Sequence, residues 1–318
     1  MAFQISNGTT VPHATNYSDL LDKLIAFAVG TGGWQIVSDQ LATNGEIYLK
    51  GLDYSGDKNI YTCIRRYANG GVDIYGWQLQ AYTGFTNTGF WVNPGAINGQ
   101  IPVLPLWNDT TPYWFFVNPR RIIVVAKIST TYVAMYLGLC LPYGSAGQWS
   151  YPMVVGGTNR AYDNFGNMSR YSDNSGNLAV PFIPTGDSNQ SNLVVRVPSG
   201  QWVRLYNSYN GIVPPGSNQS VYTLHGVSPY ADQRLYNGGI NQGYRYLRPN
   251  LDGNYPLKPL RLLRGDTPDA LGILDGVKFI PGYNISSEDT VTEGADTYTA
   301  FQDTFRTDFY NFFAVKQV

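Results

Sequence analysis

The chain has 318 residues and a formal net charge of −1, with charged side chains at only 14% of positions, well under the usual quarter. That balance offers no basic face for nucleic acid, and no apolar run approaches the ~20 residues of a membrane helix, so neither kind of partner is expected. Beside 25 Tyr, 35 Gly and 19 Pro there are only three Glu (Glu46, Glu288 and Glu293), which predicts strands and turns rather than exposed helix faces.

The first predicted element is a helix over 16–30, NYSDLLDKLIAFAVG. Asn16 or Ser18 can cap it, Asp19 and Asp22 suit its positive end, and Gly30 can close it. Its apolar stripe (Leu20, Leu21, Leu24, Ile25, Phe27, Ala28) should lie on a sheet. A strand follows in TGGWQIVSDQ. Three more follow between residues 45 and 85, with turns at TNG, YSGD and ANGG. Residues 1–90 thus form a predicted α+β unit.

Residues 86–115, rich in Gly, Pro, Asn and Trp, suggest a connector or a loop laid on an interface. The strongest apolar signal comes next, in YWFFVN, RRIIVVAKIS and TYVAMYLGLCLPYG over 113–144. Near-continuous apolar runs imply central strands buried on both faces. The turn-rich stretch 142–190 carries the echo DNFGN at 163–167 and DNSGN at 173–177. Residues 192–207 predict a hairpin turning at PSGQ. The expected fold class is mainly β: the N-terminal α+β unit at 1–90, a central β-sandwich at 91–205, and a loop-rich segment with a C-terminal β extension at 206–318. No period of 20–50 residues repeats, so a solenoid or propeller is not expected.

Chemistry-bearing motifs are sparse. Cys63 and Cys140 both sit in strand-like apolar runs, which predicts two buried free thiols. His13 and His225 have neither an acid nor a nucleophile at motif spacing. No HExxH, GxSxG, CxxC or Walker loop is present. The Asx-Gly pair lacks the acidic spacing of an EF-hand and is better explained by tight turns. Asp266 with Asp269, and Glu288 with Asp289, are close in sequence, but turn capping or solvation explains both pairs. No catalytic residue, metal or cofactor is therefore expected. The opening MAFQISNGTT shows no basic and apolar leader pattern, so synthesis in a cytosol without Sec routing is the expectation.

Interfaces favour Tyr, Trp and Arg over Lys and Glu, and Arg outnumbers Lys by 14 to 7. Trp107, Tyr113, Trp114 and Phe116 lie close to Arg120 and Arg121, a grouping typical of interface anchors. Strand alternation would turn about half of them inward. Trp149 and Tyr151 are further interface candidates. Trp202, Tyr206 and Tyr209 are candidate platforms for stacking on sugars.

Three blocks carry a resemblance. The opening has YSDLLDKLIAFA, GGWQIV, GEIYLKG, NIYTCIRR and WQLQAYTGF. The middle runs from LPLWNDTTPYWFFVNPRRIIVVAKIS through TTYVAMYLGLCLPYGSAGQWSYPMVVGG. The close runs from LDGVKFIPGYNISSEDT to DFYNFFAVK. Together, over about half of the chain, they resemble an uncharacterised family of tailed-bacteriophage virion structural proteins associated with tail, baseplate or fibre. The resemblance implies a non-catalytic component of tail, baseplate, fibre attachment or neck/collar, assembled in the host cytoplasm and resident in the virion. Its expected partners are other virion proteins and copies of itself, as a trimer or hexamer. The alternative is a module that binds a glycan receptor on the host. The weakly matching stretch 158–250 would then hold the variable surface.

Overall fold

The apolar runs over 113–139 become three adjoining strands in a computed structural model, which describes residues 2–97, 101–145, 147–161, 180–182, 192–205, 222–225, 254–264, 269–304 and 312–317. The chain first forms β1 (Ala2–Ile5), helix α1 (Tyr17–Gly30), β2 (Gln35–Gln40), β3 (Glu46–Leu52), β4 (Asn59–Asn69), β5 (Ile74–Tyr82) and β6 (Ile101–Leu106). Next come β7 (Tyr113–Asn118), β8 (Arg121–Ile128), β9 (Thr131–Leu139), β10 (Leu141–Pro142), β11 (Met153–Gly157), β12 (Asn159–Ala161), β13 (Leu193–Arg196) and β14 (Trp202–Arg204). The remaining strands are β15 (Tyr222–His225), β16 (Lys258–Arg264), β17 (Asp269–Phe279), β18 (Thr290–Glu293), β19 (Asp296–Gln302) and β20 (Phe312–Lys316).

These strands form three antiparallel sheets. Their orders are β1-β7-β8-β9-β11-β13-β14, then β12-β6-β5-β4-β3-β2, then β15-β16-β17-β20-β19-β18 with β10 also on β17. The fold is mainly β, as its composition predicts. The β1–β14 sheet is the middle layer, and pleating explains why. Successive strand side chains point to opposite faces. Tyr113, Phe115, Val117, Ile122 and Val124 enter one core with the second sheet and α1, while Trp114, Phe116, Ile123 and Val125 enter another with the third sheet. Trp114 meets Phe301 edge-on at 5.2 Å across the latter core. Each fully buried large apolar side chain contributes about 1.5–3 kcal/mol. The double burial expected from the apolar runs is present.

Helix α1 lies on the inner side, with Leu20, Leu21, Leu24 and Ala28 buried and Phe27 6.0 Å from the Phe115 ring. Asn16 caps it by accepting from the N–H groups of Ser18 and Asp19. It runs through Gly30 and is closed by Thr31, whose N–H donates to Phe27 O.

Two passages stitch the layers. β9 continues through Cys140 into β10, whose Leu141 pairs with Ile273 of the third sheet. β11 continues through Thr158 into β12, whose Asn159 pairs with Val103 of the second. At Gly157 a Cβ would fall 2.3 Å from Val103 O, so only glycine permits that backbone approach.

Strand pairing crosses the divisions expected at 90/91 and 205/206. β6 and β12 complete the sheet begun by β2–β5, β1 pairs with β7, and β10 pairs with β17. The stretch 86–115, expected as connector, contains β6, whose Pro102 and Pro105 disguise it as loop. Each proline sits where β6 is paired on one side only: Pro102 faces Arg160, and Pro105 faces Gly76. The missing N–H therefore breaks no two-sided ladder. Among the described residues no helix is long and apolar enough to cross a membrane.

Candidate functional site

The β7–β8 turn, Asn118–Arg121, gathers bonds from all three sheets. Asn118 Oδ1 accepts from the N–H groups of Arg120 (2.9 Å) and Arg121 (3.0 Å), which sets the turn. Trp34 Nε1 donates to Asn118 O at 2.7 Å, and Leu52 N donates to Pro119 O at 2.9 Å, joining the second sheet. Arg121 Nε donates to Asp275 Oδ2 at 2.7 Å, with Asn118 Nδ2 on the same oxygen at 3.2 Å, joining the third. Arg120 lies 4.9 Å over the Tyr54 ring and donates from Nε to Asp53 O. Burial and then the Asp275 charge push the Tyr54 hydroxyl well above its ordinary range.

Arg121 is 0% exposed, and Tyr113, Trp114 and Phe116 are core residues. This aromatic and arginine cluster joins layers of one chain, because strand alternation across a doubly covered sheet leaves neither face free. Trp107 is half-buried and donates from Nε1 to Thr111 Oγ1 at 2.6 Å.

A second cluster reaches the surface. Arg196, at the end of β13, is its hub. Its guanidinium lies 5.4 Å from the Tyr151 ring centroid, and Lys58 Nζ lies 5.5 Å from the same centroid. Trp149 is buried beneath and donates from Nε1 to Arg196 O at 2.6 Å. Trp202 is the cross-strand partner of Arg196, and its indole N–H donates to Gly95 O. Lys58, Tyr151, Arg196 and Trp202 are all half-buried. Burial holds the Arg196 pKa below its ordinary value. Two interface candidates, Trp149 and Tyr151, and one stacking candidate, Trp202, thus converge on two cations that no sequence motif marks. Arg196 is five residues before the PSGQ turn's end and Lys58 abuts YSGD, so the hairpin signals held the only hint. Tyr206 and Tyr209 lie outside the described residues, as do DNFGN and DNSGN.

The chain matches no protein-family model and no curated protein.

Other polar groups are tied into the fold. Tyr48 OH donates to Glu46 Oε2 at 2.6 Å and accepts from Gly89 N at 2.7 Å, seating the loop after β5 against the outer face of its own sheet. Glu288 Oε1 accepts from Lys127 Nζ (2.7 Å) and Tyr132 OH (2.6 Å), and Asp289 accepts from Ser286 N within its turn. His13 Nδ1 is 3.2 Å from Ser6 Oγ, a contact no motif spacing announced. Ser6 is buried and its Oγ accepts from Tyr113 N, so this pair anchors the N-terminal segment to β7. The His225 side chain and Asp266 lie outside the described residues. Asp303 is buried, accepts from Val180 N and Thr304 N, and has its pKa raised by burial to about 7. Cys63 and Cys140 are free and buried, as their apolar settings predict. Among the described residues no group of three or more metal-ligating side chains converges.

Proposed function

We propose that this chain is a non-catalytic structural component of a tailed-phage virion (tail, baseplate, fibre attachment or neck/collar) that works by packing against copies of itself and other virion proteins. The observation that carries this reading is the edge of the second sheet. Among the described residues β2 pairs on one side only, with β3, and its Ile36 is 45% exposed. An open strand edge is a template for pairing with another chain. The register shift between Ile36 and Ser38 is a bulge that restricts which partner fits. The three-block resemblance and the low charge support the same reading, as do polar groups engaged in joining layer to layer.

Light scattering behind size exclusion over a range of concentrations tests it. A stable trimer or hexamer, lost when Ile36→Lys is introduced with folding intact, is the expected result. A monomer at every concentration that also binds no sibling virion protein defeats the proposal.

A second reading, a glycan-binding receptor module, is favoured by one observation. Tyr151 and Trp202 stand half-exposed beside two cations. Retention on host surface polysaccharide, abolished by Trp202→Ala, is its test.

A further inference from the structure

We infer that the Lys58–Tyr151–Arg196–Trp202 cluster is a binding site for an acidic saccharide, with the two cations taking the carboxylate of a uronic-acid unit and the exposed aromatic surface taking its C–H face. This names the ligand class of the glycan reading and rests on it.

Two positive heads share one tyrosine ring, at 5.4 and 5.5 Å from its centroid. Neither forms an ion pair with a carboxylate among the described residues. Arg196 Nε is buried with no hydrogen-bond partner among those residues, so part of the guanidinium has lost water without gaining a bond. Burying a cation without a counter-charge is unfavourable, and an arriving carboxylate supplies that counter-charge. Room is reserved beside the guanidinium. Gly200, at φ +89°, would place a Cβ 3.0 Å from Arg196 Nη2, so the turn is bare where a ligand oxygen would approach. The donors are held in place by the rest of the fold. Trp149 fixes the Arg196 backbone, and Trp202 is tied to Gly95.

A carboxylate alone could also come from an acidic protein segment. The aromatic surface decides between them. A pyranose carrying a carboxylate presents an anion and an apolar face within one residue, whereas Asp or Glu presents the anion only.

Calorimetry of the full chain with oligomers of galacturonate, glucuronate, mannuronate and guluronate, and with their carboxyl-reduced counterparts, tests the inference. At least one acidic oligomer should bind, weaken with added salt, and bind about tenfold better than its reduced form, the size of one charge-assisted contact. Arg196→Gln and Lys58→Gln should each remove about that factor. Lys58→Gln alone suffices as the test if Arg196→Gln fails to fold. Absence of binding across the panel overturns the inference, as does equal affinity in Lys58→Gln. Tighter binding of an oligoglutamate of equal charge overturns it in favour of a protein partner. Equal binding of acidic and reduced oligomers overturns it while leaving the broader glycan reading standing.

Discussion

Arg121, wholly buried at the base of β8, donates from Nε to Asp275 Oδ2 on β17 across 2.7 Å, bonding the middle sheet to the outer one. Removing one partner strands the other charge inside the protein, which costs about 3–5 kcal/mol. Asp275→Ala, which strands the wholly buried Arg121 charge, is expected to lower the urea midpoint accordingly, whereas Arg121→Met leaves the Asp275 carboxylate, whose side chain is 17% exposed and can be reached by water, and should cost less. Equal losses from both would show that the pair does not behave as a buried ion pair.

Gly276 is held at φ +70°, and a Cβ there would fall 2.1 Å from Arg121 Nη2. Gly276→Ala therefore combines left-handed strain of about 1–2 kcal/mol with displacement of the guanidinium. Because the second effect acts through the ion pair, the substitution should cost less in an Asp275→Ala background than in the parent, as a double-mutant cycle reads out. Strict additivity would refute the coupling.

Asp303 is 1% exposed and its carboxyl is pushed up to about 7 by burial, against about 3.9 in an unfolded chain. Between those values the folded chain keeps a proton that the unfolded chain has lost. This group's contribution to stability therefore declines as pH rises from about 4 to about 7, then levels off. Asp303→Asn keeps an oxygen for Val180 N and Thr304 N and should flatten that slope by a few kcal/mol. It should also melt above the parent at pH 8. A variant with the parent's pH slope would rule this out.

Tyr48 OH bridges Glu46 and Gly89. Tyr48→Phe leaves the Gly89 N–H without its acceptor and the buried Glu46 without its hydroxyl donor, a loss of about 1–3 kcal/mol. Limited proteolysis should speed up first between residues 83 and 97; cleavage appearing first elsewhere would contradict that role for the bridge.

Cys63 and Cys140 are fully buried, and burial pushes both thiols well above their ordinary range. Neither should react with an aromatic disulfide reagent in the native protein at pH 8, and two equivalents should appear in denaturant. Rapid native labelling would show that one site opens.

Much of this molecule is legible along the chain. The Asn16 cap and the Leu20, Leu21, Leu24 stripe announce α1, the turns at YSGD and PSGQ announce their hairpins, and the apolar runs over 113–139 announce strands covered on both faces. These signals are local, set by backbone propensity, capping and side-chain period. β1 carries no such signal because four residues show no period, and neither does β6 because its prolines imitate a loop.

The partners of each element were decided only in three dimensions. Tyr113, Trp114, Phe116 and Arg121 have interface composition, yet they serve an internal interface, since composition does not say whether the covering surface belongs to the same chain. Lys58, Tyr151 and Arg196 are separated by 93 and 45 positions, and nothing in their local sequence draws them together. They meet because β4 and β13 belong to sheets that share one core, and a cluster built by sheet packing leaves no spacing to be read.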